Sequence, residues 1–112
     1  MQNYGNYFVT KHHPKPKVLD GWNHGFLKLS TGVELHYVES GQKSSPLMLC
    51  LHGFPEFWYT WRYQLRYFNK SYRVIAVDMR GYGDSSKPKG YQNYKLDIVV
   101  DDIIATIGAL GI

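Results

Sequence analysis

The sequence predicts an α/β fold in which an antiparallel hairpin leads into a parallel sheet with flanking helices. Alternating polar and apolar residues on either side of the turn signal at 30–32 are typical of a hairpin. Continuous apolar runs at 47–51 and 72–77 indicate strands covered on both faces, and helical spacing of large apolar residues lies between them. A strand, a helix and a strand in this order predict a parallel pair with a right-handed crossover.

The hairpin begins the predicted domain. Its first strand starts at Gly25, and its second alternates apolar and polar residues over 33–39. Residues 1–24 mix Tyr, Asn, Gly, His, Lys and Pro without a sustained period, so we expect a mobile amino-terminal segment there. The sequence therefore predicts a mobile segment at 1–24 and a domain over 25–112.

The strand at 47–51 ends abruptly in a turn, where we expect the chemistry of the protein. His52 and Gly53 interrupt the apolar run, and Pro55 removes a backbone donor and restricts Phe54 to extended geometry. A helix over 57–68 is predicted to follow. Its stripe of large apolar residues consists of Trp58, Trp61, Leu65 and Phe68.

A long loop and an amphipathic helix are predicted after the second apolar strand. Gly81, Gly83 and Pro88 mark the loop. In the helix, over 95–110, apolar residues recur at steps of three and four, and three aspartates lie outside that stripe. The stripe is Leu96, Val100, Ile103, Ile107 and Leu110, and the aspartates are Asp97, Asp101 and Asp102.

Composition argues against several classes of function. The net charge of +4 comes from scattered lysines without the pattern of a nucleic-acid module, so we expect no nucleic-acid partner. The single cysteine, Cys50, forms no intrachain disulfide, and its apolar strand predicts a buried, inert thiol. His12, His13 and His24 lack the ligand pattern of a metal site. No run approaches the roughly 20 apolar residues of a membrane span, so the chain as given is predicted to be soluble.

Two ordered motifs resemble those of the α/β-hydrolase-fold epoxide hydrolases. Residues 52–58 read His-Gly-Phe-Pro-Glu-Phe-Trp, which is similar to the HGxP segment of that family, and residues 78–88 match its DxRGxGxSxxP segment. The resemblance covers about 25–112 and is especially to the membrane-anchored animal branch that includes epoxide hydrolase 4. It implies the amino-terminal half of an α/β-hydrolase fold, truncated after its second parallel strand and the following helix.

The resemblance assigns one catalytic group to this chain. The Phe54 backbone N–H would be a donor of the oxyanion hole, and a cis Phe54–Pro55 bond would place the Phe54 ring and amide inside the pocket. Phe54 and Trp58 would contact substrate. The other motif residues would hold the two turns in place: His52, Gly53, Pro55, Asp78, Arg80, Gly81 and Gly83. A catalytic role for His52 is an alternative that we favour less, because the family's base comes from much later in the chain. Catalytic roles for Asp78 and Arg80 are also less favoured, because their position just past a strand in a glycine-rich loop fits a structural turn.

The implied reaction is hydrolysis of a small-molecule epoxide to a vicinal diol through an aspartyl ester, with no metal and no organic cofactor. It needs an Asp in a GxDxG-like elbow, a His with an acidic partner and lid tyrosines, and no such motif occurs in the 112 residues. The chain is therefore interpreted as an amino-terminal portion of an epoxide hydrolase, inactive by itself. A haloalkane dehalogenase, a serine esterase and a non-catalytic interaction fragment stay open as alternatives. The compartment also stays open. A membrane anchor in the parent protein, which would associate it with the endoplasmic reticulum, is a further open alternative.

Overall fold

Four strands and two α-helices make up residues 21–111, the part of the chain that this computed structural model describes. The strands are β1 (Asn23–Lys28), β2 (Glu34–Ser40), β3 (Leu47–Leu51) and β4 (Arg73–Val77). The helices are α1 (Arg62–Tyr67) and α2 (Leu96–Ala109), each preceded by a short 3₁₀ turn, at Trp58–Trp61 and Tyr91–Tyr94. The order of strands and helices is the predicted one.

The strands form one mixed sheet in the order β1-β2-β4-β3. β1 and β2 are antiparallel, with Leu27 opposite Leu35, whereas β3 and β4 are parallel, with Leu51 opposite Val77. β2 and β4 pair antiparallel and join the two halves. The predicted hairpin and the predicted parallel pair are therefore confirmed. Among residues 21–111, no strand pairs with the outer edge of β3.

Apolar side chains cover both faces of the sheet, because successive residues of a strand point to opposite sides. One face packs against the 3₁₀ turn and α1 through Val38, Cys50, Trp58, Leu65, Val74 and Ala76. The hairpin contributes a second cluster of Leu29, Val33 and Leu35, against which Ala105 of α2 packs.

Cys50 is buried and free, as predicted, and burial raises the pKa of its thiol. No helix among the described residues is long and apolar enough to cross a bilayer.

The first strand begins earlier than predicted. Asn23 already pairs with Glu39, and His24 Nδ1 lies 2.8 Å from His36 Nε2. The Trp22 ring makes an edge contact with the Trp58 ring, with centroids 5.3 Å apart. Residues 22–24 therefore belong to the folded domain and not to the predicted mobile segment, because their contacts are with β2 and the core. Residues 1–20 of that predicted segment lie outside the described part of the chain.

The packed face of α2 also differs from the predicted apolar stripe. Asp102 and Thr106 are buried, whereas Leu96 is 79% exposed and Val100 is 41% exposed. Asp102 faces inward because its carboxylate pairs with the guanidinium of Arg80, a residue from a distant turn. The interpretation that Asp102 lies outside the packed face was wrong. Helical spacing predicted the helix correctly. It did not predict that Arg80 would pair with Asp102 and so determine which side of the helix is buried.

Candidate active site

Two turns meet at the carboxyl ends of the parallel strands. β3 continues into a turn at 52–56, and β4 continues into a turn at 78–86. Parallel pairing places both turns at the same edge of the sheet, which is where open α/β sheets bind their ligands. A hydrogen bond of 3.0 Å from the Met79 N–H to His52 Nε2 joins them.

A cavity of about 240 Å³ opens between the two turns. It is lined by His52, Gly53, Phe54, Met79, Arg80, Tyr82, Tyr94 and Val99. Its wall is therefore mostly aromatic and aliphatic, with a few polar groups, which is the usual character of a small-molecule site. Four of the lining residues were not singled out from the sequence: Met79 and Tyr82 occupy variable positions of the second motif, and Tyr94 and Val99 follow it.

His52 holds the two turns together. Its Nε2 accepts the Met79 N–H, so its proton is on Nδ1, which donates to the Gly53 carbonyl oxygen at 3.0 Å. The ring also packs edge-on against Tyr82, with centroids 4.7 Å apart. Since both ring nitrogens are used within the fold, the geometry favours the structural interpretation of His52 over that of a catalytic base.

Residues 53–56 of the first turn leave one backbone donor unused. The Gly53 N–H donates to Glu56 Oε1 at 3.0 Å, the Glu56 N–H donates to the Gly53 oxygen at 2.9 Å, and Pro55 has no N–H. The Phe54 N–H has no hydrogen-bond partner among residues 21–111. It is therefore the donor of this turn that is available to a ligand in the adjoining cavity.

The Phe54–Pro55 peptide bond is cis, as the resemblance implied. Phe54 lines the cavity, but it is 84% exposed and not enclosed as we expected, because nothing among the described residues covers the turn.

Asp78 is the centre of the second turn and not a free carboxylate. Its Oδ1 accepts the Trp58 N–H at 2.8 Å, and its Oδ2 lies 2.8 Å from His36 Nδ1 and accepts the Asp84 N–H at 3.1 Å. The side chain is buried. A buried carboxylate with these partners fixes the backbone around it, which is the structural role proposed for Asp78 from the sequence.

Arg80 is likewise committed to the scaffold. Its Nε lies 2.7 Å from Asp102 Oδ2 and its Nη2 lies 3.0 Å from Asp102 Oδ1, a bidentate ion pair with both side chains buried. The hydrogen bond to Asp102 raises the pKa of the guanidinium. The same carboxylate accepts the Thr31 hydroxyl at 2.7 Å. Asp102 thus connects the second turn, α2 and the hairpin.

The Tyr94 hydroxyl is used within the cavity wall. It donates to the Pro88 oxygen at 2.6 Å, and burial raises the pKa of the phenol. Lys87 also serves the turn, since its ammonium donates to the Gly83 and Ser85 carbonyl oxygens. Desolvation lowers the pKa of that ammonium.

No group of three or more His, Cys, Asp or Glu side chains in the described part of the chain could hold a metal ion.

A family model described as the alpha/beta hydrolase fold matches residues 46–111, which contain both turns of the cavity. The chain belongs to the α/β-hydrolase fold family. The match covers more than half of the 112 residues and includes the HGxP and DxRGxGxSxxP segments. The predicted fold class is therefore confirmed.

Epoxide hydrolases are among the relatives of this α/β hydrolase. Human epoxide hydrolase 4 is 56% identical over 81 residues, which are 72% of this chain and 22% of the relative. Epoxide hydrolase 1 of Caenorhabditis elegans is 49% identical over 104 residues, 93% of this chain and 26% of the relative. The chain thus spans about a quarter of the length of these curated relatives.

Solved structures agree with the sequence relatives. An epoxide hydrolase from Vigna radiata superimposes with a TM-score of 0.78 at 38% identity, covering 84% of this chain and 30% of that structure. An epoxide hydrolase from Bacillus megaterium, solved with a naphthyloxy-propanediol as its product, gives a TM-score of 0.73 at 42% identity, covering 78% and 30%. The resemblance to α/β-hydrolase-fold epoxide hydrolases is therefore confirmed.

Trp58 occupies a different place from the one implied by that resemblance. Its side chain is buried in the core beneath the turn, where it packs against Trp22 and His24, and it does not line the cavity. The structure therefore gives Trp58 a packing role in place of the predicted substrate contact. Trp58 is the buried residue of the four in this 3₁₀ turn, and none of the four lines the cavity.

Proposed function

We propose that this chain is one part of an epoxide hydrolase and that it supplies the Phe54 N–H as an oxyanion-hole donor. The observation that carries the proposal is the unused Phe54 N–H beside an open cavity, where the Gly53 and Glu56 N–H donors are taken within the turn. The identity with proteins named epoxide hydrolases supports the substrate class.

The proposed reaction has two steps. An aspartate carboxylate attacks an epoxide carbon, the C–O bond of the ring breaks, and the oxygen takes a proton to give a hydroxyl. Water then attacks the carbonyl carbon of the resulting ester, and the negative charge that develops on the carbonyl oxygen is where the Phe54 N–H would donate. Collapse of this intermediate releases the diol and restores the carboxylate.

The nucleophile, the base and the acid of this reaction belong to segments not represented in the 112 residues. The chain by itself is therefore proposed to be inactive. Assay of the purified 112-residue chain with styrene oxide is expected to give no diol above the buffer background. Enzymatic turnover by that chain would overturn the proposal that it is one part of a larger site.

The donor is tested in a chimeric enzyme, in which residues 21–111 replace the matching segment of the Caenorhabditis elegans relative. Phe54 is exchanged for phenyllactic acid, which converts the N–H into an ester oxygen and keeps the ring. Because one oxyanion donor is lost, kcat for styrene oxide should fall by about 10²- to 10³-fold.

The control is the same backbone change at Tyr91, whose side chain is 87% exposed and does not line the cavity. It should leave kcat unchanged. An ester at Phe54 that turns over as fast as the unmodified chimera would overturn the proposed donor.

A further inference from the structure

We propose that Glu56 is a positioning residue that holds the Phe54 N–H in its donating orientation. This inference rests on the proposed function, since it assigns a residue to the same donor. Glu56 makes two contacts with Gly53: its Oε1 accepts the Gly53 N–H at 3.0 Å, and its backbone N–H donates to the Gly53 oxygen at 2.9 Å.

The Gly53 carbonyl and the Phe54 N–H belong to the same peptide group. That group is planar, and in its trans form the carbonyl and the N–H point in opposite directions. The Gly53 oxygen accepts hydrogen bonds from the Glu56 N–H at 2.9 Å and from His52 Nδ1 at 3.0 Å. Because these two bonds fix the direction of the carbonyl, they also fix the direction of the Phe54 N–H.

The Glu56 carboxylate fixes the other end of Gly53. Its second oxygen, Oε2, accepts the Thr60 hydroxyl at 3.2 Å, so both carboxylate oxygens are held within one short segment. Rotation of the Gly53–Phe54 peptide would change the backbone dihedral angles of Gly53. The hydrogen bond from the Gly53 N–H to the Glu56 carboxylate restrains these angles. Without it, only the two hydrogen bonds on the Gly53 oxygen, from the Glu56 N–H and His52 Nδ1, would oppose that rotation.

The negative charge itself is not the useful property of Glu56. A carboxylate near a developing oxyanion raises the energy of the transition state, and a charge at the start of a helical turn contributes only to stability. A glutamine at this position keeps an acceptor for the Gly53 N–H and removes the charge. Glu56→Gln and Glu56→Ala therefore separate positioning from charge.

The test uses the chimeric enzyme and styrene oxide. Glu56→Ala should lower kcat by about 10- to 100-fold, since small misplacements of catalytic groups have effects of this size. KM should change little, and Glu56→Gln should restore most of the kcat. Thr60→Val, which removes only the contact to Oε2, should lower kcat less than Glu56→Ala.

The matched control is Asp97→Ala. Asp97 is also exposed, and its Oδ1 accepts the backbone N–H of Ile98 at 3.0 Å at the start of α2, away from the turn. Removal of that carboxylate should leave kcat unchanged, whereas a fall like that of Glu56→Ala would show a general loss of stability and overturn the inference.

A double substitution identifies the group through which Glu56 acts. With phenyllactic acid at position 54 there is no N–H to position, so Glu56→Ala should cause no further loss of kcat. Independent, multiplicative losses would overturn the inference, as would an unchanged kcat in Glu56→Ala and Thr60→Val. If the ester alone has no effect, the proposed donor fails. If the ester lowers kcat and Glu56→Ala does not, only the role of Glu56 fails.

Discussion

The two turns at the carboxyl edge of the sheet are built in opposite ways. In the first, residues 53–56 are exposed, and the Phe54 N–H has no partner among residues 21–111. In the second, Asp78, Arg80 and Ser85 are buried, and their side chains are bonded within the fold. Both turns are motif segments of one family, yet one is suited to meet a ligand and the other to hold the first in place.

The glycines of the two turns show the same contrast. A Cβ on Gly83 would collide with the Asp78 carboxylate, and Gly83 has a φ of 52°, which side chains rarely adopt. A Cβ on Gly53 would have Glu56 Oε1 at 3.5 Å as its nearest neighbour, an ordinary contact. Glycine is thus required by packing in the buried turn and not by packing in the open one.

The largest expected effect is that of Gly83→Ala in the chimeric enzyme. Asp78 is held by three groups and has no room to move, so we expect a loss above about 5 kcal/mol and no cooperative urea transition by circular dichroism. Gly108→Ala is the control, since that helical position has open space around it and should be slightly stabilised. A cooperative transition close to that of the unsubstituted chimera would contradict the contrast.

Asp102→Asn should have the next largest effect, because it leaves the buried Arg80 guanidinium without its charged partner. We expect the free energy of unfolding in urea to fall by about 3 kcal/mol. Asp101→Asn changes an exposed aspartate at the adjacent position of the same helix and should have little effect. Equal losses in both variants would show that the ion pair does not stabilise the second turn.

Tyr94→Phe tests the wall shared by the cavity and the buried turn. Burial raises the pKa of Tyr94 above its usual value of 10.0, while the Arg80 charge acts in the other direction. The folded protein therefore keeps this proton to higher pH than the unfolded chain, and the stabilisation is full below pH 10 and is lost as pH rises through the folded pKa.

At neutral pH, Tyr94→Phe should lower the free energy of unfolding by about 1 kcal/mol, because the bond to the Pro88 oxygen is lost. The difference from the unsubstituted chimera should shrink above pH 10, where the Tyr94 phenol of the unfolded chain ionises before that of the folded protein. Urea unfolding at neutral and alkaline pH measures both values, with the exposed Tyr91→Phe as the control. A difference that stays constant with pH would contradict the raised pKa.

Gly53→Ala should have the smallest effect of the series. Its Cβ meets only the Glu56 carboxylate at an ordinary distance, so the free energy of unfolding should change by less than about 0.5 kcal/mol. Thermal unfolding of the chimera provides the measurement. A loss comparable to that of Gly83→Ala would show that the two turns do not differ as described.

Local pattern in the sequence determined the elements and their order. The hairpin, the apolar strands and the turn at 52–56 follow from alternation, apolar runs, glycine and proline, which act over a few residues. Resemblance of the two motifs then predicted the family and singled out Phe54. The elements and the family are confirmed because each depends on neighbours in the chain, whereas the role of Phe54 stays a prediction.

Tertiary structure decided the partners of individual groups. Burial of Asp102 depends on Arg80, 22 positions earlier, and the membership of His24 in the fold depends on His36 in the neighbouring strand. The availability of the Phe54 N–H depends on which acceptors the turn brings near it, and the core position of Trp58 on how the 3₁₀ turn lies on the sheet. Helical and strand periods specify faces, but only packing of distant segments determines what each face meets.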